Sequence, residues 1–505
     1  MKMKIKLIIT IAVALMFSVA CTKLNEKLYD QVLADDYGKS SGEIETIVGR
    51  AYASLRGFSD ATSNAFPTCE YVFFLDECVS DEACIPTRFP GNNWWDGGRY
   101  QEAKFHTWTS SNLMILSSWR YHFIGIAKVN QVIFAIDNSN QTAEAKTKIK
   151  AELRGLRAYY YLRLLDLFGN VPIVTDFVNN GLPKNSTKAE VYAFVESELE
   201  DILPDLQSNI IYGRITKNVA YTLLARLYLN SEVYVGQARW KDCIDACDKV
   251  TGYTLEPDFF TSFLTNNEVS KEIIFSIPYD HKAGTTGNYM SSMSFHYNQR
   301  LAFSATGNWP WSANGMCGTP GLYKSFDDKD VRKKSMLAGV QINRATGTPI
   351  LMGDGNVLDY TDTIQEFGHA NENEGVRIKK YEVKDGEVWE RDHDWVLMRY
   401  SEILLMKAES LVRLGSAALA QPICAQIRSR AGIDTPADID LQFINDELRR
   451  EFLFEGHRRT DNIRFGDFFK KGWNQIETPA FRGIFPIPIS EIAKNGNLIQ
   501  NQGYN

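Results

Sequence analysis

Two stretches rich in Gly, Pro, Asn and Ser hold the side chains best suited to ligand chemistry. Phe66 to Trp108 contains DECVSDEACIPTRFPGNNWWDGGRYQEAKFHTW, and Tyr279 to Tyr323 contains HKAGTTGNYMSSMSFHYNQRLAFSATGNWPWSANGMCGTPGLY. Both break the helical pattern of the rest of the chain and are expected to be long loops, which at such lengths are usually functional. An aromatic face held by backbone turns suits stacking on a sugar ring, whose slightly positive axial C–H groups meet the negative π face. Flanking Asn, Asp and Arg can bond the hydroxyls. The first loop offers Trp94 and Trp95 with Asn93, Asp96 and Arg88; the second offers Trp309 and Trp311 with Asn308, Tyr289 and Tyr297. The competing role for any one Trp is to pin its loop onto the scaffold, since Trp is highly buried on average. Asp96-Gly97-Gly98 reads as a turn before it reads as a contact.

Other constellations point less sharply. Asp76, Glu77, Asp81 and Glu82 could include the acid and base of a glycosidase, or calcium ligands. Their spacing does not fit the calcium-loop pattern D-x-[DN]-x-[DN]-G. The more ordinary role for such acids is at loop ends and in the first turns of helices. Seven scattered histidines lack ligand spacing, and no HExxH, GxSxG, GxGxxG or Walker sequence occurs. The expectation is a protein without catalytic residues, metal or cofactor; a structural calcium has no support in the sequence. Cys69, Cys78 and Cys84 lie close together and could supply one disulfide in an oxidising compartment. Cys243 and Cys247, one helical turn apart beside Trp240 and Ile244, read as buried small hydrophobes.

Helices must position these loops. Ala220, Leu223, Leu224 and Leu227 repeat at helical spacing within Lys217 to Tyr228, and Trp240, Cys243, Ile244 and Cys247 repeat it again. Such a pair, joined by a short polar turn, is a helix–turn–helix unit of the tetratricopeptide kind. Ser401 to Leu414 followed by Ala417 to Arg428 forms another. Ala151 to Phe168 is a long helix closed by Gly169 and stopped by Pro172. Further helical patterns cover Glu43 to Arg56, Ser117 to Ile136, Lys188 to Leu203 and Ile444 to Glu455. The expected fold is mainly α, a scaffold of packed helix pairs with long irregular insertions at about 66–108 and 279–323.

The last third carries short motifs in a fixed order. Arg399-Tyr400-Ser401-Glu402 opens a helix, and Arg428 to Gly432 reads RSRAG. Arg449 to Glu455 with Arg458, Asp461, Arg464 and Gly466 follows, and Ile487 to Tyr504 closes the series. This resembles the C-terminal signature of the SusD/RagB family, the surface nutrient-binding lipoproteins of Bacteroidetes-type bacteria. Ser401 stands where Ala is usual and Gly496 where Pro is usual; neither change removes a chemical group. The pieces AELRGLRAYYYLRLLDLFGNVPIV and GRITKNVAYTLLARLYL resemble the family's middle section, so the likeness spans nearly the whole mature chain. The resemblance implies a SusD-like scaffold of tetratricopeptide-like helix pairs and glycan sites built from loops in the two aromatic regions. It also implies a SusC-like TonB-dependent outer-membrane transporter as partner. Glu455, Arg458, Asp461 and Arg464 share one helical face and could pass for a catalytic cluster. As family signature residues they are expected to form structural ion pairs.

The N-terminus points the same way. Lys2, Lys4 and Lys6 precede an apolar run from Leu7 to Ala20, and Ser18, Val19 and Ala20 lead into Cys21. That layout is a secretory signal and too short to span a bilayer. A small residue before Cys resembles a lipobox, so residues 1–20 are expected to be removed, with Cys21 acylated; ordinary cleavage leaving a free Cys21 is the alternative. Residues 21–505 would then form one domain, tethered to the outer membrane by lipid and facing outward. The net charge of −7 becomes −10 without the three signal lysines, and no basic block offers a nucleic-acid surface. Oligosaccharide capture for uptake is therefore the leading expectation. RagB-like capture of peptides or other nutrients is the alternative, and an exported glycoside hydrolase comes third.

Overall fold

Apolar residues at helical spacing, closed by polar caps, make this chain mostly helical. A computed structural model describes residues 41–57, 70–178, 181–280, 282, 288, 290–304, 312–385 and 392–504. Cys21, Cys69, Tyr289, Asn308, Trp309 and Trp311 lie outside the described residues. The first half contains α1 (Ser41–Ala53), α2 (Glu70–Cys78), α3 (Arg99–Phe105), α4 (Leu113–Asp137), α5 (Ala143–Phe168) and α6 (Lys188–Ile202). Next come α7 (Lys217–Leu229), α8 (Ser231–Val235), α9 (Trp240–Cys247), α10 (Met290–Ser294) and α11 (Arg300–Phe303). The last third adds α12 (Tyr400–Arg413), α13 (Ala417–Arg430), α14 (Leu441–Glu451), α15 (Arg458–Phe465) and α16 (Ile489–Lys494).

Local chemistry sets the boundaries. Asn112 caps α4 by accepting from the Met114 N–H at 3.0 Å, and Thr142 caps α5 from the Ala145 N–H at 3.2 Å. Thr187 and Glu190 form a reciprocal capping box on α6. The helices α4 and α5 pack closely because Gly125 leaves room for Tyr160, whose ring would lie 2.4 Å from a Cβ there. The helices α7 and α9 pack together, as do α12 and α13, and α9 against α12 joins the two pairs. This is the expected helix-pair scaffold, with α8 inserted where only a short turn was expected. A large apolar core runs through α4, α5 and α7, and a second one fills the space between α12, α13 and α14. Cys243 and Cys247 are buried as small hydrophobes, as the spacing suggests.

The aromatic regions are less irregular than their composition implies. Inside the first, α2 and α3 flank a stretch of only 79–98 without α-helix, and α2 is anchored by Val72, Phe73, Phe74 and Leu75, which are buried in the core. Short strands hold the remainder. They are β1 (Ala83–Cys84), β2 (Arg88–Phe89), β3 (Ile273–Ile277), β4 (Cys317–Gly318), β5 (Met336–Leu337), β6 (Gly339–Val340), β7 (Asp359–Tyr360), β8 (Ala370–Asn371), β9 (Arg377–Ile378) and β10 (Trp395–Arg399). The antiparallel pairs are β1 with β4, β3 with β10, β5 with β9 and β6 with β7, while β2 runs parallel to β8. Thus β1–β4 ties the first aromatic region to the second, and β2–β8 ties it to a segment near 370.

The helix expected to reach Glu455 ends at Glu451. Phe454 and Gly456 adopt positive φ of 60° and 78°, which turns the chain and presents the Phe454 N–H to Glu82 and the Gly456 N–H to Glu77 of α2. Around this turn lies a buried ion network. Arg399 donates to Glu272 at 2.9 Å, to Glu451 at 2.5 Å and to Glu455 at 2.7 Å. Arg430 also reaches Glu272, at 2.8 Å, and Arg332 reaches Glu447 and Glu451 at 2.7 and 3.0 Å. Ser401, in place of the usual Ala, adds an acceptor for Arg399. Among the described residues no helix is long and apolar enough to cross a membrane.

Candidate functional site

The first aromatic loop is held by a succession of left-handed residues. Asn92, Trp94 and Asp96 have φ of 55°, 66° and 40°, and Gly91, Gly97 and Gly98 are also positive. A bulky residue rarely accepts that conformation, so surrounding contacts must hold Trp94 in place. Its Nε1–H donates to the Ala313 carbonyl at 2.7 Å, and its ring fills the space over Gly315, where a Cβ would come within 2.4 Å. Phe74 and Tyr100 meet the ring edge to face, at 6.5 and 5.5 Å. Trp94 is thus the pin that fastens the loop, not a stacking platform.

Trp95 behaves oppositely. It is 50% exposed, and its ring lies against Gly98, where a Cβ would stand 3.3 Å away. Asn93 is exposed and donates to the Tyr297 hydroxyl at 3.0 Å, so the two aromatic regions meet across one surface. Asp96 is exposed in the turn, and its backbone carbonyl accepts from Arg99 at 2.8 Å.

Arg88, expected to reach ligand hydroxyls, is fully buried and faces inward. It donates to carbonyls of Asn314 at 3.1 Å, Asn371 at 2.9 Å and Glu374 at 2.7 Å, and to the Cys317 sulfur at 3.1 Å. The planar fork of five donors suits it to gather several strands of backbone at once. Arg377, also fully buried, donates to Asn314 Oδ1 at 2.7 Å. Burial and then the nearby Arg88 push Arg377 down to about 10. Burial alone would raise the Cys317 thiol, but its hydrogen bond with Cys84 and the two guanidiniums bring it down to about 6. The two guanidiniums thus favour the ionised form of Cys317, whose sulfur lies 3.9 Å from that of Cys84. Cys78 is a separate, buried free thiol.

The structure adds residues that no local pattern marked. Phe89 is 44% exposed and stacks on His369, with centroids 4.2 Å apart and planes at 28°. His296 receives the Asn298 N–H on Nδ1 and faces Glu372 through Nε2 at 3.2 Å. Burial, reinforced by Arg377 and Arg88, pushes His296 down to about 3, so the neutral ring donates to Glu372. These residues sit up to 283 positions apart, and only the Pro90-Gly91-Asn92 turn beside Phe89 hints at exposure.

The acidic residues of the first region serve the scaffold. Burial would raise Asp81, but the Arg458 and Arg449 guanidiniums hold it below the usual carboxylate range, with Arg458 Nε at 2.6 Å. Asp76 pairs with Arg163 at 2.5 Å. Glu82 accepts the Phe454 N–H at 3.2 Å, and Glu77 the Gly456 N–H at 2.6 Å. Asp76, Glu77 and Glu82 are buried, and the half-exposed Asp81 is taken up by arginine, so all four make scaffold contacts. The signature residues are likewise structural: Arg464 chelates Glu409, and Glu455 meets Arg399 and Lys380. A cavity of about 120 Å³ lies within this scaffold, lined by Asp76, Arg163, Arg226, Glu402 and His457, and neither Trp94 nor Trp95 lines it.

Comparison with known proteins agrees with this architecture. The SusD family model matches residues 271–483, and a second model, described as starch-binding associating with outer membrane, matches 79–229. The starch-binding protein SusD of Bacteroides thetaiotaomicron is 28% identical, covering 77% of this chain and 78% of its own length. SusD-like protein P2 of Formosa agariphila is 24% identical over 98% of this chain and 99% of its own. Among solved structures, surface glycan-binding protein A of Bacteroides thetaiotaomicron in complex with laminarihexaose superposes with a TM-score of 0.72 at 21% identity, covering 91% of this chain and 99% of that one. The two family models fall in order along one chain whose signature residues build the buried ion network described above; the protein belongs to the SusD family.

Proposed function

We propose that the protein binds oligosaccharide without cleaving it, using the surface around Trp95, Asn93 and Tyr297. The carrying observation is Trp95: a large apolar ring half in solvent, on a loop whose neighbouring Trp94 is locked into the scaffold. Holding such a ring in water gains nothing for folding, but it presets a stacking plane at low entropic cost to binding. The relatives named for starch and laminarihexaose support a glycan over a peptide. In this reading the protein sits outside the outer membrane, anchored by lipid at Cys21, and passes its ligand to a SusC-like TonB-dependent transporter. Tyr289, Asn308, Trp309 and Trp311 would complete the binding face from the second loop. Neither metal nor cofactor is required.

The test is calorimetry of the soluble form with a panel of oligosaccharides and peptides. Trp95→Ala should weaken the bound oligosaccharide by ~1–3 kcal/mol, the range of an interface hot spot, with an unchanged melting temperature. Peptide binding with no oligosaccharide bound, or release of new reducing ends, would refute this reading.

A further inference from the structure

Phe89 and His369 form a second exposed aromatic surface, beside the one that Trp95 presents. The parallel pairing of β2 with β8 sets Phe89 opposite Asn371. It is fixed by the Ala370 N–H to the Thr87 carbonyl at 2.9 Å, the Thr87 N–H to Phe367 at 3.0 Å, and Arg88 to Asn371 at 2.9 Å. Arg88 and Asn93 close the intervening turn with two backbone bonds of 2.8 and 3.1 Å, which sets Phe89 close to Asn93 and its partner Tyr297. Phe89 therefore does not wander: its strand is bonded on one side, and its ring is backed by His369. An exposed ring with a fixed plane offers its outer face to a planar or C–H-rich ligand.

The charges beside this surface restrict what that ligand can be. Asp96 and Glu372 place carboxyl groups near it, whereas the guanidiniums of Arg88 and Arg377 lie fully buried and donate to backbone carbonyls. Arg99, at the loop's edge, is taken up by the Asp96 carbonyl and the Tyr71 hydroxyl. Among the described residues the carboxyls of Asp96 and Glu372 stand against one exposed guanidinium close to Tyr297 in sequence, Arg300, so a neutral sugar chain fits here better than a polyanionic uronate or sulfate.

Resting on the glycan-binding reading, we propose that Phe89, backed by His369, is a further stacking position for an uncharged oligosaccharide, extending the Trp95 surface along the chain of sugars. A ligand long enough to touch both rings gains from each, while a disaccharide occupies one at a time.

The experiment is calorimetry on the full soluble chain with linear neutral glucan, xylan and mannan oligosaccharides of two to eight units, beside uronate and sulfated oligosaccharides of matched length. Phe89→Ala should weaken the longest neutral oligosaccharide that wild type binds by about tenfold, leave the shortest one unchanged, and keep the wild-type melting temperature. Phe89→Trp should restore the loss, and His369→Ala should show a smaller loss in the same direction without touching the outer face. If Phe89→Ala and His369→Ala bind every length as wild type does while Trp95→Ala fails, the extension is wrong and the glycan reading stands. If wild type prefers the uronate or sulfated members, the uncharged assignment falls. If wild type binds none of the panel, the glycan reading falls and this inference with it.

Discussion

Glu82→Gln tests the electrostatic design of the scaffold directly. Glu77 and Glu82 are both fully buried, side by side, each holding one backbone N–H of the turn after α14. Burial, followed by their mutual repulsion, raises Glu77 well above its ordinary value. Burial raises Glu82 to about 8, against the opposing pull of Arg458. The pair thus keeps a proton at neutral pH. A carboxyl whose folded value exceeds its unfolded value contributes full stability below the unfolded value near 4.5. That contribution is lost as pH rises toward the folded value, at about 1.4 kcal/mol per pH unit for one proton.

Between pH 5 and pH 8 the wild type should therefore lose up to about 4 kcal/mol through this pair. Gln keeps an oxygen for the Phe454 N–H and turns an amide toward Glu77, so the variant loses the Glu82 share of that slope while burial still raises Glu77. Urea denaturation of both proteins at pH 5, 6.5 and 8 makes the comparison, and taking the difference cancels groups common to both, such as Asp394, which burial raises to about 6. The expected result is near-equal stability at pH 5 and a variant more stable by about 2–4 kcal/mol at pH 8. Parallel pH profiles would show that the two carboxyls do not share a proton and that this account of the turn is wrong.

Gly315→Ala should push a methyl group into the Trp94 ring and unseat the loop; a loss of about 1–3 kcal/mol in stability, with weakened glycan binding, is expected, and binding equal to wild type would show that Trp94 is not the pin. Leu405→Ala should cost ~2–5 kcal/mol, because Leu405 is fully buried between α12, α13 and α14, whereas Leu411→Ala, at a half-buried site on the same helix, should cost less; thermal denaturation reads both. Cys21→Ala should move the protein from the membrane to the soluble fraction, and an unchanged distribution would refute the lipid anchor.

The long helices were legible because their apolar spacing and caps are local. Gly169 ends α5 as expected, and the helix pairs α7/α9 and α12/α13 lie where the periodicity places them. Periodicity says nothing, however, about which of two adjacent tryptophans turns inward. That choice depends on Gly315, over two hundred positions away, leaving a hollow for one ring only. Arg88 was misread as ligand-facing for a related reason: the carbonyls that draw it inward belong to 314–315 and 371–374. Asp76, Glu77 and Glu82 read as loop-end and first-turn acids, yet they are buried, where Arg163 and two backbone N–H groups from the C-terminal turn reach them.

The clearest sequence signal and the candidate site are therefore different things, linked by mechanics. Arg458 holds Asp81, the Phe454 turn holds Glu82, and Thr319 donates to the Glu82 backbone carbonyl at 2.9 Å next to the β1–β4 pair. From there four residues lead to Arg88, which gathers the backbone beneath the exposed loop. Leaving a buried charged or polar group without its hydrogen-bond partner typically costs ~1–3 kcal/mol, which opposes change at these positions whatever the ligand. Trp95 and Phe89 stand in solvent, where substitution costs the fold little. The same physics that fixes the signature leaves the exposed rings free of such constraints, so a shared family tells more about how the loop is mounted than about what the loop meets.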